Sequence, residues 1–144
     1  MTSATELRLA QKPEPHPTVV SGQFWEGCAQ RQLLIPQCRD CQRLHFYPRS
    51  HCPLCGHSEL DWVPASGRGQ VRAATTVHRS FWGDAWAEDV PYNVSLITLD
   101  EGIQLVSNVI HVRPEQVVAG MDVVVTFEQR GRTWLPVFYP DPRP

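Results

Sequence analysis

No stretch of this sequence holds the roughly 20 consecutive apolar residues needed to cross a bilayer. The segment Met1 to Lys12 also lacks the apolar centre that a signal peptide carries. The expected compartment is therefore the cytoplasm, with no membrane partner. Excess positive charge is missing too: 13 basic against 15 acidic residues leave a net charge of -2, without the broad positive field of a non-specific nucleic-acid binder. Lysine is almost absent, Lys12 being the only one among those 13 basic residues, and no function follows from that bias alone. The chain is also short. Its 144 residues fit one ordinary domain, or a small domain with an appended module, and exclude two full-sized enzyme domains. With 13 prolines and 9 glycines against 42% hydrophobic residues, the composition predicts short strands and many turns instead of long helices.

Cysteine is scarce and odd in number, with five in all, yet four of the five fall in two C-x-x-C pairs. In a reducing compartment that pattern reads as metal binding before disulfide bonding. Cys38 and Cys41 form one pair, Cys52 and Cys55 the other, with 10 residues between the pairs. Each pair can present two thiolates to one ion, and two such knuckles close a tetrahedral all-sulfur shell. Pro53 pre-sets the second turn and Gly56 accepts the backbone conformation that aims amides at sulfur. His45, His51 and His57 are rival ligands, but four cysteines at matched spacing already complete the shell. Zinc and iron both suit it; zinc is the default, one ion per chain. A closed shell leaves no open position to activate water, so its role is structural. The fifth cysteine, Cys28, has no helix N-terminus beside it and no identifiable histidine partner, and is expected to be a buried helix residue and not a nucleophile.

The chain divides into three parts. Residues 1–20 end in the alternating prolines of Lys12-Pro13-Glu14-Pro15-His16-Pro17 and are expected to form an extended arm, mobile or laid on a partner. Residues 21–66 hold a helix capped by Ser21, carrying Phe24, Trp25 and Cys28, extending to the apolar group Leu33 to Ile35 and ended by Pro36, and then the metal module. The Ser66-Gly67-Arg68-Gly69 run marks the next boundary. Residues 67–144 show five β runs: Val71 to Val77, Asn93 to Leu99, Ile103 to Ile110, Val123 to Glu128 and Thr133 to Phe138. Asp100-Glu101-Gly102 and Gln129-Arg130-Gly131-Arg132 read as hairpin turns, and Arg113 to Gly120 as a short helical turn. That order is the order of a five-stranded OB-type barrel. The fold class is thus mainly β: short helix, zinc ribbon, OB barrel.

With the two knuckles followed by five β runs, the chain resembles the DUF35 family, whose members join a rubredoxin-like zinc ribbon to an OB-fold. The likeness runs from about Ser21 to Pro140. It is carried by Ser21-Gly22-Gln23-Phe24-Trp25, Phe46-Tyr47-Pro48-Arg49, Gly67-Arg68-Gly69, Pro91-Tyr92, Leu99-Asp100-Glu101-Gly102, Gly120-Met121 and Leu135-Pro136-Val137-Phe138. The resemblance implies an acyl-CoA-associated small subunit in hetero-oligomeric complex with a thiolase-superfamily enzyme, such as a thiolase or a lipid-transfer-type retro-aldolase. In such a pair the partner carries the chemistry, and the small chain stabilises it and helps hold the CoA thioester. It transfers the four metal ligands and no catalytic residue.

Outside the ligands, Arg39, Arg43 and Arg49 crowd the ribbon. They read either as compensation for the negative thiolate site or as a clamp for CoA phosphates, which guanidinium groups bind bidentately. Phe81, Trp82 and Trp86 lie in the loop joining the first two barrel strands, and read as anchors of a partner interface or as a cap on the barrel end. Asp84, Glu88 and Asp89 in the same loop would repel a phosphate backbone. His78 and His111 each end a β run and are taken as ordinary histidines. Three functions remain, in this order: accessory subunit of an acyl-CoA enzyme, nucleic-acid-binding OB module, and stand-alone thioesterase-like enzyme.

Overall fold

A computed structural model describes residues 12–81 and 84–143. Helix α1 spans Gly22–Ala29, a shorter element than the sequence predicts. Ser21 does stand at its N-cap, but its hydroxyl pairs with Thr18 instead of capping helix amides. Nor does Pro36 end the helix. Arg31 does so, turning left-handed at φ 61 while its guanidinium lies 3.3 Å over the Trp134 ring, which stabilises the reversal. Leu33 to Ile35 therefore enters strand β1, Leu34–Cys38. There Pro36 is tolerated because a two-stranded sheet needs few amide donors, and its carbonyl accepts from the His45 amide at 3.1 Å. The partner strand β2, Leu60–Pro64, pairs antiparallel with β1, Ile35 opposite Val63.

The remaining strands are β3 (Arg68–Val77), β4 (Tyr92–Leu99), β5 (Gln104–Ser107), β6 (Asp122–Arg130) and β7 (Thr133–Pro140), hydrogen-bonded in the order β5-β4-β3-β6-β7. All five β runs expected from the sequence become strands, the third shortened to four residues. A 3-10 turn at Pro114–Gln116 stands between β5 and β6. The hairpins turn at Gly102 and Gly131, with φ 87 and 61, a region open to glycine. The sheet curls until its ends meet, and the closing contact is parallel: Val109 bridges Phe138, the Ile110 amide donating to the Phe138 carbonyl and the Phe138 amide to that of Asn108. This is the mainly β, curled OB-type barrel that the alternation predicts. Its interior joins Val71, Ile97, Leu99, Leu105, Val123 and Phe138 to Phe24 and Cys28 of α1, which lies across β7.

One buried side chain splices the seam. Asn93 is 4% exposed; its Nδ2 donates to the Val109 carbonyl, while its Oδ1 accepts from the Val109 amide at 2.9 Å and from the Ser95 hydroxyl at 2.8 Å. The amide side chain thus stands in for a strand where β5 has ended. An Asn93→Leu substitution leaves one buried donor and one buried acceptor on Val109 unpaired, and the expected cost is about 2–4 kcal/mol. Chemical denaturation of the two proteins checks this.

The described part of the arm, from Lys12, does not stand free. Among the described residues, Lys12 pairs with Asp89 at 2.5 Å, Glu14 lies over Gly131, and His16 lines a cleft beside α1. Residues 12–16 are thus laid on this chain's own barrel, and residues 1–11 of the expected arm lie outside the described residues.

Candidate functional site

Strand β1 delivers Cys38, and the chain then makes two turns of the same design. The amide four residues after each leading cysteine donates to that cysteine's carbonyl: Gln42 to Cys38 at 3.0 Å, Gly56 to Cys52 at 2.9 Å. The leading amides bond in turn to the carbonyls five residues on, Arg43 and His57. Both fourth residues are left-handed, with φ 61 at Gln42 and 83 at Gly56. Gly56 meets this demand freely. Gln42 meets it with its own side chain, whose Nε2 donates to the Arg39 carbonyl at 2.7 Å, a role the sequence does not announce.

The turns bring the four Sγ atoms within 4.8 Å of one another, Cys38 and Cys55 at 3.5 Å, Cys41 and Cys52 at 3.7 Å. A tetrahedral ion with bonds of about 2.3 Å to sulfur sets its ligands about 3.8 Å apart, so the donor set fits zinc. Burial raises the Cys52 thiol, but amides of Leu54 and Cys55 and the neighbouring thiols outweigh it and hold the group down at about 7. These contacts favour the Cys52 thiolate, the form in which a cysteine binds a metal. Among the described residues no histidine joins this cluster: His51 bonds the Ser50 hydroxyl and His57 faces Glu59. The expected outcome of metal analysis is about one zinc per chain, lost together with ribbon structure in Cys38→Ser and Cys52→Ser.

His45 is different: it is buried with neither ring nitrogen hydrogen-bonded. Burial, and then the charge of Arg49, lower its pKa below the ordinary 6.5. The fold therefore favours the neutral ring, and this contribution is complete above about pH 6.5. Stability falls as pH drops below that value, by at most about 1.4 kcal/mol per unit, until the folded ring is itself protonated. Denaturation at pH 7.5 and 5.5 should show this component in the native chain and not in His45→Phe, acid loss of zinc being common to both.

The three ribbon arginines differ in what surrounds them. Arg39 is engaged, its Nε 2.8 Å from Asp61 and its Nη1 3.9 Å from Glu59, whereas Arg43 and Arg49 are exposed and form no ion pair among the described residues. Phe81 is 80% exposed and Trp86 half-buried in a 3-10 turn, Asp84–Trp86; Trp82 lies outside the described residues. Cys28 is fully buried in the core and its thiol is pushed up to about 12 by that burial, which removes it as a nucleophile at neutral pH.

Sequence reasoning missed a cleft of about 460 Å³ between α1, the ribbon and the barrel, walled by Phe24, Trp25, Phe46, Tyr47, Leu135 and Pro136. Ring contacts run from Trp25 through Phe24 and Phe46 to Tyr47, and the Tyr47 hydroxyl accepts from the Val106 amide of β5 at 3.1 Å. Its walls come from four separate segments, so no local pattern marks it. The arrangement can hold an apolar group. Among the described residues no helix is long and apolar enough to cross a membrane.

Comparison with known proteins adds relatives to this geometry. Residues 25–61 match the family described as ChsH2, rubredoxin-like zinc ribbon domain, and residues 62–128 the one described as ChsH2, C-terminal OB-fold domain. A solved structure described as Ltp2-ChsH2(DUF35) aldolase superposes with a TM-score of 0.79 at 34% identity, covering 88% of this chain and 98% of that one. A DUF35 protein of Sulfolobus solfataricus, 18% identical over 85% of this chain and 86% of its own, shares the fold with a TM-score of 0.62. A DUF35 domain-containing scaffold protein of Methanocaldococcus jannaschii is 29% identical over 73% of this chain and 74% of its own. A Thermomonospora curvata protein described as "Probable enoyl-CoA hydratase alpha subunit" is 37% identical over 90% of this chain, which spans 42% of that relative's length.

Proposed function

This chain belongs to the DUF35 family, and from that membership we propose that it is a non-catalytic subunit in complex with a thiolase-superfamily enzyme, a thiolase or a lipid-transfer-type retro-aldolase, and helps to bind that enzyme's acyl-CoA. The observation that carries the reading is the superposition on the ChsH2(DUF35) chain of an aldolase, nearly complete for that chain at 34% identity. The description of the Thermomonospora curvata relative as a subunit acting on an enoyl-CoA supports the same substrate class.

In this reading the four cysteines hold one structural zinc that keeps the ribbon rigid. The aromatic loop with Phe81, Trp82 and Trp86 contacts the enzyme. The apolar cleft receives the acyl or pantetheine part of the thioester, and the exposed guanidinium groups meet phosphate. Arg49 follows Pro48, which lines that cleft, and with Arg43 it is better suited to a phosphate than Arg39, already held by Asp61.

Steady-state kinetics of the reconstituted complex test the CoA half. Arg49→Ala or Arg43→Ala should raise KM for the acyl-CoA about tenfold with kcat unchanged, the size of a charge-assisted hydrogen bond. Arg39→Ala should stay within about twofold, as for an exposed ion pair. A KM that none of the three moves removes the phosphate role. The partner half predicts that Trp86→Ala weakens association by about 1–4 kcal/mol, the range of an interface anchor, with zinc content unaltered.

A further inference from the structure

The register of β3, β4 and β5 places Ala73 beside Leu96 and Leu96 beside Val106, Thr75 beside Val94, and Val77 beside Tyr92. The alternate residues Asn93, Ser95, Ile97 and Leu99 on β4, and Leu105 and Ser107 on β5, are buried, so the first set forms the outer face of the barrel. A sheet with one face on a core normally turns polar residues outward. Here the outward positions are Leu, Val, Tyr, Ala and Thr. No charged residue occurs from Ala73 to Val77, from Tyr92 to Leu99 or from Gln104 to Ser107; Arg68 and Arg72, exposed on the first half of β3, precede this stretch, and β6 carries Asp122, Glu128 and Arg130. Val106 is 55% exposed. A trough of about 610 Å³ runs along this face, walled by Pro13, Trp86, Tyr92, Val94 and Val106, and its other lining residues are uncharged as well.

We propose that this uncharged outer stretch, Ala73 to Val77 of β3 with β4 and β5, is where the enzyme partner docks, the trough receiving an apolar side chain that the partner projects. The inference rests on the reading of the chain as a partner subunit and identifies the surface. Charge selects the occupant: the trough is lined by uncharged residues alone and the nearest cation on these strands, Arg72, stands at the border of the stretch, so CoA phosphates or a nucleic acid find nothing to bind within it, and an apolar protein surface does. Continuity points the same way, because Trp86 walls the trough and belongs to the aromatic loop whose Phe81 stands exposed. Size is consistent as well. Ladder, trough and flanking aromatics supply about a dozen residues, roughly half of one side of a standard interface, which makes the patch an interface core. The Lys12–Asp89 pair at its border is of the polar kind that rims such cores.

The test uses the full chain and the thiolase-superfamily protein of the same organism, purified together. Val106→Glu and Val94→Glu each put a carboxylate on the face, and Gln129→Glu, exposed on the β6 side, is the control. Zinc content and circular dichroism establish that each variant is folded; Val106→Glu, at an exposed position, keeps the test open if Val94→Glu fails to fold. Support is a loss of affinity of 100-fold or more for the two face variants and none for the control. Undiminished affinity of a folded Val106→Glu overturns the face while leaving the partner reading standing. Failure of the unaltered chain to bind overturns the partner reading itself. A dimer of the isolated chain that Val106→Glu dissociates assigns the face to a second copy and overturns the proposal.

Discussion

Four sulfurs drawn within 4.8 Å are the constraint on which the rest of the molecule depends. The ribbon has two strands of five residues each, too little to bury a core of its own, so its shape follows from the ion that the four thiolates fit. That shape places Phe46 against Phe24 at 5.3 Å and sets the Tyr47 ring beside Phe46. From there the constraint passes into the barrel. β5 is four residues long; beyond it the Asn93 side chain holds Val109 to β4, and Val109 in turn bridges Phe138 of β7 to close the barrel.

The parts that read clearly from the sequence are those set by short-range chemistry. Cysteine spacing predicts both knuckles, alternation predicts five barrel strands, and Gly102 and Gly131 mark turns that need a left-handed residue. Where local and tertiary preferences compete, the reading fails. Leu33 to Ile35 suits a helix by spacing, but the reversal at Arg31, set by a ring 103 residues away at Trp134, turns it into β1. β2 is invisible because Leu60-Asp61-Trp62-Val63-Pro64 gains its hydrogen bonds only from β1. Asn93 looks like any polar residue at a strand start; its role exists only once Val109 is brought against it. The candidate site divides in the same way, the ligands being local and the cleft and docking face not.

Charge is distributed by region, and the regions correspond to different kinds of chemistry. The ribbon carries Arg39, Arg43 and Arg49 around a thiolate site whose four ligands and zinc together bear about -2. Of the three only Arg39 is paired with carboxylates, which leaves the Arg43 and Arg49 guanidinium groups exposed and without an ion pair among the described residues. The stretch from Ala73 to Val77 and the outer faces of β4 and β5 carry no charged residue, Arg68 and Arg72 standing on β3 before it. A chain with nearly balanced charge overall thus presents one surface suited to an anion and another suited to an apolar partner, and neither is visible in the net value of -2.

Tyr47 joins the two regions. Its ring packs on Phe46 in the ribbon, while its hydroxyl accepts from the Val106 amide on the outermost strand of the sheet. An edge strand presents unpaired amides and carbonyls that invite pairing with another chain, and here a side chain held in place by the zinc ribbon occupies one of them. A ribbon that loses its ion releases Tyr47 and exposes the Val106 amide beside an uncharged apolar face. The same loss of order removes the wall that Phe46 and Tyr47 give to the cleft. The metal site thereby bears on both surfaces through one aromatic residue, and this gives a physical reason for a subunit of this size to contain a zinc ribbon.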